Sequence, residues 1–179
     1  MKALVFIITL ILVSVISSDC PKIVKKSGSS PSPGFTTRYW DCCKPSCSWN
    51  HGSRSCDKNQ EVEEIPFITS ICAGGGVGSS STCLSQIPFT IDGCPDMGFA
   101  FAATPGNPGG NDNCGKCFEF TFTGEGHWKT TPQTQALKGK KLVVMTTNIG
   151  YDVEEGQFDI LTPGGGVGLF NGCEHFWYS

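Results

Sequence analysis

The sequence predicts a mainly β protein, a closed barrel or a sandwich of short strands. Three observations carry this reading. Glycine (23 residues) and proline (11) punctuate a chain of 179. Helix-period patterns are scarce, and alternating or β-rich runs stand between the punctuation marks. Short strands joined by Gly/Pro turns favour barrels and sandwiches, and barrel closure also protects strand edges.

The elements follow in chain order. Met1-Lys2, an apolar run from Ala3 to Val13 and small residues through Ser18 form a signal peptide over residues 1–18. The run is shorter than the ~20 apolar residues a transmembrane helix needs. Cleavage near Ser17 or Ser18 leaves roughly 160 residues, the size of one domain. No second apolar span follows, so the product is expected to be secreted and extracellular, with no membrane partner. Residues 19–35 read as an extended leader, rich in Ser, Pro and Gly from Lys26 to Gly34. Gln60 to Ile71 is the one helical expectation, because Glu61, Glu63 and Glu64 near its start suit the helix dipole. Ala73–Ser81 and Pro105–Asn113 read as loops.

Five strands are expected. Met97–Thr104 sets Phe99 and Phe101 on one face and small alanines on the other. Phe118, Phe120 and Phe122 alternate with Glu119 and Thr121, which is period two with one face buried. Leu142–Thr147 is a core strand. Phe158–Leu161 and Val167–Phe170 are short strands flanking a Pro163-Gly164-Gly165-Gly166 turn. There is no internal repeat.

The formal charge of −3 offers nothing to nucleic acid, which wants a strongly basic face. A neutral polysaccharide makes no charge demand. The 11 cysteines of an exported chain read as a disulfide framework, and their odd number leaves at least one without a partner in the chain. Cys114-x-x-Cys117 could be half a zinc site. Export favours disulfides instead, and no second pair or suitable histidine follows. His51, His127 and His175 stand among polar residues and read as surface groups. Gly164–Gly166 lacks the Lys-Ser/Thr of a phosphate loop. No metal or cofactor is expected.

The sharpest segment runs from Thr36 to Trp49, TTRYWDCCKPSCSW. It sets one carboxylate, Asp41, among Tyr39, Trp40 and Trp49, with three cysteines to hold the backbone. Aromatic faces stack on sugar rings, and they raise a carboxyl pKa by desolvation. A structural aspartate at a disulfide knot fits the same composition equally well.

This segment closely resembles the signature of glycoside hydrolase family 45, the endoglucanases. A second resemblance lies at Gln157-Phe158-Asp159-Ile160 and Pro163 to Cys173. Phe101–Thr104 and Cys114–Phe122 also look familial, so the likeness runs from about Thr36 to Cys173 in family order. The resemblance implies a six-stranded double-psi β-barrel with long disulfide-tied loops, over residues 36–179. It implies an inverting hydrolysis of cellulose or a related β-1,4-linked glucan by a monomer. Asp41 would be the base and Asp159 the acid. Asp152 would be a third aspartate, on a loop over the cleft, and Asp152, Glu154 and Glu155 would push the Asp159 pKa up. Thr37, Tyr39, Trp49 and Ala103 would contact substrate. Two positions depart from the family's pattern: Tyr151 stands where a glycine is expected, and Gln157 where some members carry histidine.

The family's framework would pair Cys42 with Cys173, Cys43 with Cys72, Cys47 with Cys114, and Cys56 with Cys83. Cys117 would lack its usual partner, since family members continue well past the position of Cys173. The barrel is therefore expected to be C-terminally incomplete. Cys20 and Cys94 remain and could pair with each other. The rival readings are a non-hydrolytic, expansin-like wall-binding protein and a cysteine-rich toxin or inhibitor. Asp41 in an intact signature argues against the first, and the long apolar strands argue against the second.

Overall fold

The computed structural model describes residues 20–28, 32–49, 53–57, 59–63, 69–73, 78–106 and 113–174. The signal-peptide segment, His51, His175, residues 74–77 of the 73–81 loop and residues 107–112 of the 105–113 loop lie outside these residues. The described chain is mainly β, with one short α-helix and two 3-10 turns, Ser46–Ser48 and Ile71–Ala73. Its strands are β1 (Phe35–Tyr39), β2 (Ser55–Cys56), β3 (Val62–Glu63), β4 (Phe89–Thr90), β5 (Met97–Pro105), β6 (Cys117–Thr121), β7 (Lys141–Gly150) and β8 (Gln157–Leu161). No helix among the described residues is long and apolar enough to cross a membrane.

The main sheet runs β1-β8-β5-β7-β6, with β4 paired to β5. Two of its pairs, β1–β8 and β5–β7, are parallel; the others are antiparallel. Among the described residues no pairing of β1 with β6 closes this path, so the sheet is open here.

The core explains why β5 alternates phenylalanine with alanine. Ala100 and Ala102 are its buried side, joined by Val144 of β7 and Ile160 of β8. Small residues there leave room for the rings of Phe118, Phe120 and Phe158. Phe158 meets Phe118 and Phe120 edge-on, with centroids 5.0 and 4.6 Å apart. Edge-to-face pairs of this kind are the favoured aromatic geometry. Phe99 stands on the other side of β5 and stacks on Phe89 of β4.

Among the described residues two expected elements take another form, and one appears unannounced. Val62–Glu63 is a strand, not a helix, and pairs with Ser55–Cys56. The Asp57 carboxylate accepts the amides of Asn59 and Glu61, and Gln60 sits at φ 65°. This turn chemistry defeats the helix that the acidic residues suggested; residues 64–68 lie outside the described chain. Val167–Phe170 is turn, because Gly164, Gly166 and Gly168 all take positive φ, which breaks an extended run. The unforeseen helix is α1 (Pro132–Ala136). A reciprocal Thr131/Thr134 capping box and a proline in its first turn start it.

Five disulfides staple the loops to the sheet: Cys20–Cys94, Cys42–Cys173, Cys43–Cys72, Cys47–Cys114 and Cys56–Cys83. Cys117 is a free, exposed thiol. The leader is held to the sheet by Cys20–Cys94 and by a Lys25–Glu119 ion pair of 3.3 Å.

Candidate active site

Strand β8 lies between β1 and β5, and Asp159 is the register partner of Thr37 on one side and Ala103 on the other. Partners in register project to the same face, so all three side chains meet there. Thr37 Oγ1 donates to Asp159 Oδ1 at 2.7 Å. Gln157 Nε2 donates to Thr37 Oγ1 at 2.8 Å, and the Glu154 amide donates to Gln157 Oε1 at 2.8 Å. The amide fills a lone pair of the threonine oxygen, which leaves its proton for the carboxylate. Burial pushes the Asp159 carboxyl above its ordinary range; the Thr37 hydrogen bond opposes this, and the Asp152 charge adds to the rise. Burial thus leads, and of the three nearby acids only Asp152 contributes.

Asp41 stands two residues beyond the end of β1. Its carboxylate accepts the Cys43 amide at 3.0 Å. Burial raises its pKa, against the backbone amides of Cys43 and Cys42. Gly172 packs on the carboxylate so closely that a Cβ there would collide with Asp41 Oδ1 and come within 2.5 Å of Cys43 Sγ. The Cys42–Cys173 disulfide delivers that glycine. Asp41 opens on a cleft of about 480 Å³, whose walls include Tyr151, Leu169, Phe170 and Gly172. Tyr151 is 71% exposed and Phe170 65%, so apolar faces stand open beside the carboxylate.

Tyr39 joins the two halves. Burial drives its phenol far above the usual value, and the charges of Asp41, Asp159 and Asp152 each add to the rise. The phenol therefore stays protonated among three carboxylates. Gly165 packs on the backbone of Tyr39, and the Trp40 amide donates to the Gly166 carbonyl at 2.7 Å. The glycine turn thus seats the strand that leads to Asp41.

The other expected site residues fall as follows. Ala103 is buried beside Asp159. Asp152 is exposed, on the turn after β7. Trp49 lies under the Lys44 ammonium, 4.4 Å from its ring centre, and is not part of the cleft wall that holds Asp41. Asp41, Cys43 and Cys72 bring potential ligand atoms within 4.8 Å of one another. The two sulfurs are joined as a disulfide, so this group offers one carboxylate and no thiolate to a metal. Cys114 is likewise in a disulfide, which removes the half zinc site. Sequence reasoning passed over Gln157 and Gly172 as working parts. Gln157 was within reach, since a residue two before Asp159 on a strand shares its face.

With this geometry in view, residues 33–179 match the model of glycosyl hydrolase family 45. Endoglucanase B of Cellvibrio japonicus (strain Ueda107) is 42% identical over 152 residues, which are 80% of this chain and 28% of that protein. An endoglucanase of Cryptopygus antarcticus is 41% identical over 157 residues, 84% of this chain and 63% of that one. The chain therefore spans less than two thirds of either relative. The crystal structure of a cellulase from the Antarctic springtail Cryptopygus antarcticus superposes with a TM-score of 0.62 at 40% identity, covering 80% of this chain and 64% of that chain.

Proposed function

The chain belongs to glycosyl hydrolase family 45, and from that premise we propose that it is a secreted endo-β-1,4-glucanase cleaving internal bonds of cellulose or related β-glucans with inversion. Asp159 is the general acid and Asp41 the general base. The observation that carries this reading is the pair of desolvated carboxyls on separate segments, both acting on Tyr39, one of them open to a cleft.

A general acid must hold its proton until the glycosidic oxygen needs it, and burial with the nearby Asp152 charge supports that for Asp159. A base must be ionised; burial raises the Asp41 pKa, and the backbone amides of Cys43 and Cys42 oppose that rise by favouring the charged form. In an inverting hydrolase the base takes a proton from water on the face opposite the leaving group. Thr37 and Gln157 hold the Asp159 oxygen in place, and Tyr39, Ala103 and Asp152 shape its surroundings. Trp49 would contact the glucan elsewhere than at the Asp41 cleft wall.

The double-psi barrel over residues 36–179 belongs to the same proposal; the two parallel pairs within one mixed sheet are consistent with it. Secretion is supported by the five disulfides, which persist in oxidising compartments.

The test is turnover of carboxymethylcellulose by the parent chain and by Asp41→Asn and Asp159→Asn. Each variant should lose about 10²–10⁴-fold in kcat, the usual worth of acid–base assistance. Near-parental turnover in either variant removes that residue from the mechanism.

A further inference from the structure

A second aromatic cluster lies outside the cleft. Phe35 and His127 stack with ring centres 3.7 Å apart and planes 8° from parallel. Trp128 stands edge-on to both, at 5.6 Å from Phe35 and 4.7 Å from His127. Yet Trp128 is 75% exposed. An indole left in water forfeits the stabilisation that burial gives, about 25 cal/mol for each Å². The loop that presents it is nonetheless tightly built. The Gly126 amide donates to Thr130 Oγ1 at 3.2 Å, and a side chain at Gly126 would collide with the Lys129 carbonyl. The Thr131/Thr134 capping box then anchors the segment to α1. The rings are thus held out by a rigid turn.

Their place in the fold adds a direction. Phe35 is on the same face of β1 as Thr37 and Tyr39, because residues two apart on a strand share a face. The row from Phe35 to Tyr39 spans roughly 13 Å at strand rise. The aromatic cluster therefore begins where the row of site residues on β1 ends. Glu125 and Lys129 flank His127 and Trp128 with opposite charges, so the patch has no net charge to offer an ionic partner.

We propose that Phe35, His127 and Trp128 form a second glycan-binding surface, an aromatic platform that holds a neutral β-glucan chain in line with the cleft. This rests on the glucanase reading for the identity of the ligand. Pyranose rings offer apolar faces to aromatic side chains, and a chain gripped outside the cleft is presented to Asp41 and Asp159 at raised local concentration.

The experiment separates the two readings. Partition onto insoluble cellulose is measured in the Asp159→Asn background, where slowed hydrolysis does not confuse binding, with Trp128 intact, as Trp128→Ala and as Trp128→Phe. The parent chain is assayed for carboxymethylcellulose hydrolysis in parallel. Trp128→Ala should bind roughly tenfold more weakly, equivalent to about 1.4 kcal/mol, and Trp128→Phe should recover part of the loss. Cellohexaose should also protect Trp128 from N-bromosuccinimide in the parent chain, read by peptide mapping, a readout that needs no variant to fold. Unchanged partition by Trp128→Ala together with unprotected Trp128 overturns the platform, whether or not the parent hydrolyses glucan. Loss of a concentration-dependent dimer in Trp128→Ala, with cellulose binding intact, also overturns it, in favour of a contact between copies of this chain. Cellulose binding that depends on Trp128 in a parent without hydrolytic activity upholds the platform and removes the glucanase reading.

Discussion

One hydrogen bond sets the pH behaviour expected of the acid. Burial and the Asp152 charge raise the Asp159 pKa, whereas the Thr37 hydroxyl, donating at 2.7 Å, stabilises the ionised form and lowers it. Thr37→Val removes the donor and keeps the bulk, so the Asp159 pKa must rise further. The alkaline limb of kcat/KM reports loss of the acid's proton in the free enzyme, and it should move to higher pH. Thr37→Ser keeps the donor and should leave the limb near its parental place. A limb moved to lower pH in Thr37→Val would contradict the assignment of Asp159 as acid. At this scale the sequence was partly legible. Asp41 and Asp159 stood out by their motifs. The relay from Glu154 through Gln157 to Thr37 did not, because it joins residues about 120 positions apart through strand register. The separation of Trp49 from the Asp41 cleft wall was equally hidden, since it turns on the Lys44 ammonium finding its ring.

Elements carry these residues, and disulfides decide how firmly. Cys42–Cys173 closes 131 residues and brings Gly172 against Asp41. Cys56–Cys83 closes 27 and reaches the Asp41 segment at one remove, through Ser81 and Thr82 on the Cys42 and Cys43 backbone. In the chain-entropy picture these closures are worth about 4–5 and 3–4 kcal/mol. A Cys42→Ser/Cys173→Ser variant should lose stability and most of its kcat, since the wall beside Asp41 is released. A Cys56→Ser/Cys83→Ser variant should lower Tm while keeping a larger share of kcat below its own transition. Thermal unfolding and initial rates on one preparation decide this, and equal losses of kcat would refute the link between Gly172 and Asp41. Strands with clear period-two or β-branched patterns, β5 to β8, were readable because one face meets a core. The Gln60–Ile71 and Val167–Phe170 segments were misread because turn chemistry at Asp57 and left-handed glycines at 164, 166 and 168 outweighed composition. Helix α1 escaped notice because five residues carry too little periodicity to signal one.

Across the whole molecule, disulfides tie the loops to a sheet whose path is open among the described residues, and the proposal gives opposed duties to two of its carboxyls. Composition and signal-like opening pointed to an exported β domain. Resemblance at two separated segments pointed to glucan hydrolysis, and the family match over residues 33–179 agrees with it. A carboxylate can activate water or attack the sugar itself, and the proposal gives Asp41 the first of these roles. The stereochemistry of the product distinguishes the two, because a water-activating base inverts the anomeric centre and a nucleophile retains it. The most direct test is therefore proton NMR of the first reducing ends released from cellohexaose. The account predicts that the α-anomer appears first and then mutarotates towards the equilibrium mixture. First release of the β-anomer would contradict the pairing of Asp41 as base with Asp159 as acid.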